Sequence, residues 1–228
     1  VAEDRSPARV VVSQTNYAKV FTDVKTGAIG KEYDTDGWPK APRDAAVAVF
    51  EKSGALLFTG DQHLSTVVRL ETKNGAQSGP GVVQFCQPAA GCIWWRSFFP
   101  AASERLGDAP GSDPPGYFGR YADGFGNVFD VMAVANSGSL ETVRRHLNPQ
   151  QHRLTPDEAA QGIGDTERVH RGEGFAVLHV QPDADRITLE CWPLDADVSA
   201  GAAAMFADWP IDLELSTMRP AEPVETAP

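Results

Sequence analysis

The chain has 228 residues, with 31 Asp and Glu against 20 Lys and Arg, a net charge of -11 at pH 7. That length can bury a substantial core in one domain or two small ones without a disulfide or metal staple. The acidic surplus argues against a general nucleic-acid binder, which needs excess Lys and Arg to neutralise phosphates. No run approaches the roughly 18 apolar residues of a membrane helix.

Residues 1–8 read as a linking or disordered start with no signal-peptide core. A first residue of Val1 rather than Met suggests that a leader or a longer upstream segment has been removed. Arg9 to Ser13 is a short β-branched strand. Tyr17 to Pro42 has several glycines and prolines and no sustained periodicity, and a long ordered connection of that kind tends to be functional. It carries Asp34-Thr-Asp-Gly-Trp-Pro39. From Pro42 to Ser53 the pattern is helical: Pro42 suits a first turn, Ala45, Val49 and Phe50 share a face, and Gly54 follows as a C-terminal cap.

Ala55-Leu-Leu-Phe-Thr59 reads as a strand buried on both faces in the middle of a sheet. It ends in Gly60-Asp-Gln-His63. Gly60 is expected to make the sharp turn that carries Asp61 and His63 beyond the strand's carboxyl end, where open α/β sheets place their ligands. A carboxylate and an imidazole two residues apart make a corner of a metal site, although Gly-Asp is also a common turn signal and two donors do not close a site. Strand, loop, helix and strand form a crossover unit with parallel neighbours, so the Asp34/Asp36 loop and the Asp61/His63 turn belong on one rim. Arg43, at the start of the helix, suits a salt bridge with Asp34 or a phosphate contact.

Beyond this point the pattern turns to β. Ser65 to Leu70 and Gly81 to Phe85 are strands joined by a turn containing Asn74-Gly75. Cys92 to Pro100 is heavily aromatic, and core packing is the commoner use of such density, with a contact face for a ring ligand as the alternative. Ala101 to Phe118 is an exposed loop rich in Pro, Gly and Asp. Phe125 to Ala135 alternates, with Phe129, Val131 and Ala133 on one face. Residues 137–172 are polar loop and short helix. Phe175 to Gln181 and Ile187 to Trp192 form a hairpin around Pro182-Asp-Ala-Asp185, with His179 facing solvent or a partner sheet. Asp208 to Leu215 offers one more strand, and the tail from Pro220 is disordered. The three cysteines form neither a disulfide framework nor a zinc spacing; Cys86 and Cys92 can pair, and buried free thiols are the default. No Gly-x-Ser-x-Gly elbow and no Gly-rich phosphate loop occurs.

Three motifs together, Val11-Val-Ser-Gln-Thr15, Asp34-Thr-Asp-Gly-Trp-Pro39 with Arg43, and Gly60-Asp-Gln-His63, resemble in order and approximate spacing the C-terminal half of the alkaline phosphatase D-type (PhoD-like) metallophosphoesterases of the calcineurin-like superfamily. Tyr121-Ala-Asp-Gly-Phe-Gly-Asn127, the Val131 to Asn136 strand and Glu190-Cys-Trp-Pro193 resemble the later β-rich portion of one branch. The resemblance implies an α/β fold, a partial sandwich of two β-sheets flanked by helices. Residues 1–70 would belong to the metallophosphoesterase core, 71–219 would complete the sandwich with a β-rich extension, and 220–228 would be a disordered tail.

The resemblance also implies metal-dependent hydrolysis of phosphate monoesters or diesters. It makes Asp61 and His63 catalytic metal ligands, adds Asp36 and Asp34 to the metal set, and gives Arg43 to the substrate. Calcium with iron is the expected metal pair, with manganese or zinc as alternatives, and many members are exported. The superfamily's earlier ligands, from Asp-x-His, Gly-Asp and Gly-Asn-His segments, are not found in these 228 residues. The expected partners are therefore a phosphate ester and a missing N-terminal half, in the same polypeptide or another chain. The competing expectation is a non-catalytic β-rich module using the aromatic 92–100 stretch as its contact face.

Overall fold

The computed structural model describes residues 8–33, 37–72, 81–91, 96–107, 118–136, 138, 140 and 173–218. The expectations for the start of the chain, for Asp34 and Asp36, for the Asn74-Gly75 turn, for Trp94-Trp95 and the Cys92 thiol, and for most of 108–117, 137–172 and the tail lie outside them.

Two sheets organise the chain. The larger contains β1 (Arg9–Val12), β2 (Ala55–Thr59), β3 (Thr66–Leu70), β4 (Val82–Cys86), β5 (Gly119–Ala122) and β6 (Val128–Val134), in the order β1-β2-β4-β3-β6-β5. The smaller is an antiparallel ribbon of β7 (Gly174–Gln181), β8 (Arg186–Pro193) and β9 (Ile211–Glu214), in that order. α1 (Lys40–Ser53) connects β1 to β2, and a single turn, α2 (Leu215–Met218), follows β9. Among the described residues no helix is long and apolar enough to cross a membrane.

β1 and β2 pair in parallel, as do β2 and β4, which is the crossover expected from the sequence. The remaining pairs, β4 with β3, β3 with β6 and β6 with β5, are antiparallel. The sheet therefore runs through the division expected at residue 70, because β3 and β4 on its two sides are paired neighbours. Alternating side chains of β2 go to opposite cores. Leu56 packs with Phe85, Ile187, Leu189 and Leu213 between the two sheets, while Leu57 packs with Val47 of α1, Val68, Val131 and Phe98 on the other side. Full burial of one such leucine contributes about 1.5–3 kcal/mol, so β2 is anchored from both faces before the chain turns at residue 60.

Two details differ from the sequence reading. The buried stripe of α1 consists of Arg43, Asp44 and Val47 rather than Ala45 and Val49, and Val49 is 60% exposed. Periodicity of apolar residues misses this face because its charges neutralise each other: Arg43 Nη1 lies 3.1 Å from Asp44 Oδ1. Gly54 does cap the helix, with φ 63° and its N–H on Phe50 O and Glu51 O. In β6, a shift of register against β3 between Val67 and Val68 leaves Met132 outside the ladder. Val131 and Ala133 then fall on opposite faces instead of one, since a bulge residue breaks the two-residue alternation.

Candidate functional site

The carboxyl ends of β1, β2 and β4 share one rim, because the three strands are mutually parallel. Four buried polar side chains lie there: Asn16, Thr59, Gln62 and Gln84. A buried polar group needs a partner, and each has one. Thr59 Oγ1 donates to Asn16 Oδ1 (2.5 Å), and Asn16 Nδ2 donates to Gly60 O (2.7 Å). Gln84 Oε1 accepts from the Tyr17 N–H (2.6 Å) while its Nε2 donates to Ala18 O (3.2 Å). Gln62 Oε1 accepts from the Val20 N–H (2.7 Å), and its Nε2 donates to Leu64 O and Thr66 Oγ1. These amides tie the loop after β1 to the sheet. The sequence signal for them was a glutamine inside the apolar run Val82-Val-Gln-Phe85 and another between two candidate ligands.

Gln62 also explains the turn that bears Asp61 and His63. Its side chain is fully buried, whereas Asp61 is exposed and His63 half-buried. Both flanking residues adopt left-handed backbone, Asp61 at φ 65° and His63 at φ 62°. The expected turn residue, Gly60, does not: its φ is not positive, and a Cβ there would meet Gln87 Nε2 at an ordinary 3.4 Å. The left-handed strain therefore lies on the two donor residues themselves. Asp and His tolerate that region better than most side chains, at a cost, and here the inserted Gln62 holds them in it.

The loop that carries Asp34 and Asp36 is described up to Tyr33 and from Gly37. Gly37 has φ 74°, and a Cβ on it would lie 2.5 Å from Asn127 Nδ2 and 3.1 Å from Tyr17 O, so only glycine fits. The residue before Asp61 is thus bonded to Asn16, and the residue after Asp36 abuts Tyr17. One dipeptide touches the described end of both turns. Arg43 contacts the same place, its Nε donating to Tyr17 O at 2.7 Å. Among the described residues its ion-pair partner is the adjacent Asp44, and the expected pairing with Asp34 lies outside them. Burial pulls its pKa below the usual guanidinium value, opposed by Asp44 and Asp123, and Nη2 is buried without a hydrogen-bond partner among the described residues. Asp123 is itself saturated: it accepts from the N–H groups of Phe125 and Asn127 and from Asn127 Nδ2.

A second ionic cluster stands beside the loop. Glu32 is 2.6 Å from the buried Lys19 Nζ and also pairs with Arg96, whose guanidinium stacks on Phe21 at 3.9 Å. Burial pushes the Glu32 pKa up, but hydrogen bonds and charge from Lys19 and Arg96 outweigh it and hold the carboxylate below its usual range. A depressed folded pKa stabilises the protein above the unfolded value, and that contribution is lost as pH falls through the folded one. Glu32→Gln is thus expected to lower the melting temperature at pH 7, with the gap to wild type closing below about pH 4. A pH-independent gap in thermal melts would contradict this.

The described part of the aromatic stretch is core: Phe98 is fully buried, edge-on to Tyr121 at 5.2 Å, and pinned at both backbone groups by Asn136. Cys86 and Cys191 are buried free thiols, with burial pushing them up to about 11 and about 12, so neither is a reactive nucleophile. His179 faces solvent and pairs with Glu190 at 3.1 Å. Among the described residues, no three or more His, Cys, Asp or Glu side chains gather as a metal site. Comparisons with family models, with curated proteins and with solved structures found no match.

Proposed function

We propose that this chain is the C-terminal part of a PhoD-like, calcineurin-type metallophosphoesterase that hydrolyses phosphate monoesters or diesters. The observation that carries the reading is the turn after β2, where two left-handed residues, a carboxylate and an imidazole, flank a buried glutamine that locks them. Backbone strain of this kind concentrates at functional sites, and here it falls on two side chains whose chemistry suits a metal. The parallel β1-α1-β2 crossover and the order of the three motifs support it further.

The donor set fits metal in its chemistry: a carboxylate suits a hard cation such as calcium, and an imidazole suits iron. Asp61 and His63, with Asp36 and Asp34, are the residues that would hold the ions. When bound, such ions polarise the phosphoryl oxygens and lower the pKa of an attacking water. Arg43 Nη2 is the donor suited to a substrate phosphate oxygen, because it lacks an acceptor among the described residues and is held in place by Tyr17 O and Asp44.

Two tests bear on this reading. The reading frame upstream of Val1 is expected to encode Asp-x-His, Gly-Asp and Gly-Asn-His segments in that order, and the longer protein to hydrolyse a chromogenic phosphate ester. The purified 228-residue chain alone is expected to be nearly inactive, since one set of ligands cannot hold a two-metal site. Robust turnover by the chain alone would refute the shared site, and an upstream frame without those segments would favour a non-catalytic module.

A further inference from the structure

The two ends of the Asp34–Asp36 loop carry an aromatic cluster that the proposed chemistry does not use. Trp38 stacks on Phe125 (5.2 Å between centroids, 24° between planes), and Tyr33 meets both rings edge-on, at 5.7 Å and 5.2 Å. Apolar rings of this size normally go inside, yet Tyr33 is 63% and Trp38 50% exposed. The cluster is built rather than incidental. Phe125 sits in a tight turn fixed by Asp123, whose Oδ1 accepts from the N–H groups of Phe125 and Asn127 at 2.9 Å each.

Its charge is also unusual for a chain of net -11. Lys31 Nζ lies 5.1 Å from the Tyr33 ring and 5.0 Å from the Phe125 ring, and its stem rests against Gly124, where a Cβ would come within 2.6 Å of it. Lys40 Nζ, on the other side of the loop, donates to Asn127 Oδ1 at 2.9 Å. Lys40 lies 3.8 Å from Asp44, a carboxylate that Arg43 already engages. Half-exposed rings with two ammonium groups beside them suit a ligand that joins a flat ring to an anion.

We propose that Trp38, supported by Tyr33 and Phe125, binds the ring of the leaving group of a phosphate ester, with Lys31 facing its negative charge. The substrate class is then an aryl or nucleoside phosphate rather than an alkyl or polyol phosphate. This rests on the phosphoesterase reading for the reaction but not for the binding, because stacking needs no bound metal. Phe125 stacks on Trp38, and the half of the Trp38 surface left exposed suits a base or aryl ring, in the sequence-tolerant manner of stacking sites.

The test is a binding titration followed by isothermal titration calorimetry, using adenosine 5′-monophosphate, phenyl phosphate and glycerol phosphate. The two ring-bearing esters are expected to bind about tenfold or more tightly than glycerol phosphate, the advantage that one stacked ring supplies. Trp38→Leu is expected to erase that preference and Lys31→Gln to weaken all three ligands, with His63→Ala leaving the ring preference intact. The half-exposed position of Trp38 makes the leucine variant a mild change for folding, and Tyr33→Ala provides a second one. Equal affinity for the three phosphates, or a ring preference that survives Trp38→Leu, overturns the subsite. Ring preference in a longer protein that turns over no ester would instead retain the subsite and remove the phosphoesterase reading.

Discussion

His63→Ala in the longer protein is expected to lower turnover of a chromogenic phosphate ester by at least about 100-fold, the upper end of what loss of a mere supporting residue costs at a metal site. Metal content by elemental analysis should fall with it. Removing an imidazole from left-handed backbone changes two things at once, so His63→Asn is the necessary companion, because asparagine accepts that backbone region readily. If the imidazole is a ligand, both variants lose activity to a similar degree while the asparagine variant keeps its melting temperature. If the residue serves the turn alone, alanine disturbs the fold and asparagine leaves activity intact. Unchanged metal stoichiometry and turnover in both would end the assignment of His63.

Gln62→Leu is expected to be the most destabilising single change at the rim. The leucine fills a similar volume but leaves the Val20 N–H, Leu64 O and Thr66 Oγ1 without their partner in a fully buried place. Each buried polar group left unmatched costs about 1–3 kcal/mol, and partial relaxation of the exposed turn brings the sum to about 3 kcal/mol. For a chain of this size that corresponds to a melting temperature lower by about 6–12 °C. Asp61→Ala, an exposed neighbour in the same turn, should change stability by less than about 0.5 kcal/mol apart from its backbone strain. A Gln62→Leu protein melting within about 2 °C of wild type would show that the glutamine does not lock the turn. The loss is expected to extend to function, since the loop bonded at Val20 leads through Tyr17 to both turns.

Much of the framework was legible because local signals agreed with one another. The five-residue apolar run of β2 has no polar break, Gly54 supplies the left-handed cap, and Pro182 to Asp185 separates two alternating strands. Each of these is decided by residues adjacent in sequence, and each was found close to its expected bounds. The failures share a physical cause. Arg43 and Asp44 are buried on α1 because each neutralises the other, and a pattern of apolar residues cannot register a buried ion pair. The β6 bulge depends on how β3 lies beside it, which β6 alone does not encode.

By itself, then, the sequence determined that a strand buried on both faces delivers an acid and a histidine to one sheet rim, since continuous apolar runs and their breakers act over a few residues. It also determined the ribbon of β7 and β8 and the helix that links two parallel strands. Only the tertiary structure decided that Asp61 and His63, rather than Gly60, take the left-handed turn, because the residue that forces them there bonds to a segment forty-two positions earlier. The same holds for Trp38 and Phe125, which stack across eighty-seven positions of chain. Contacts of that span are selected by the packing of whole layers, and no local pattern carries them.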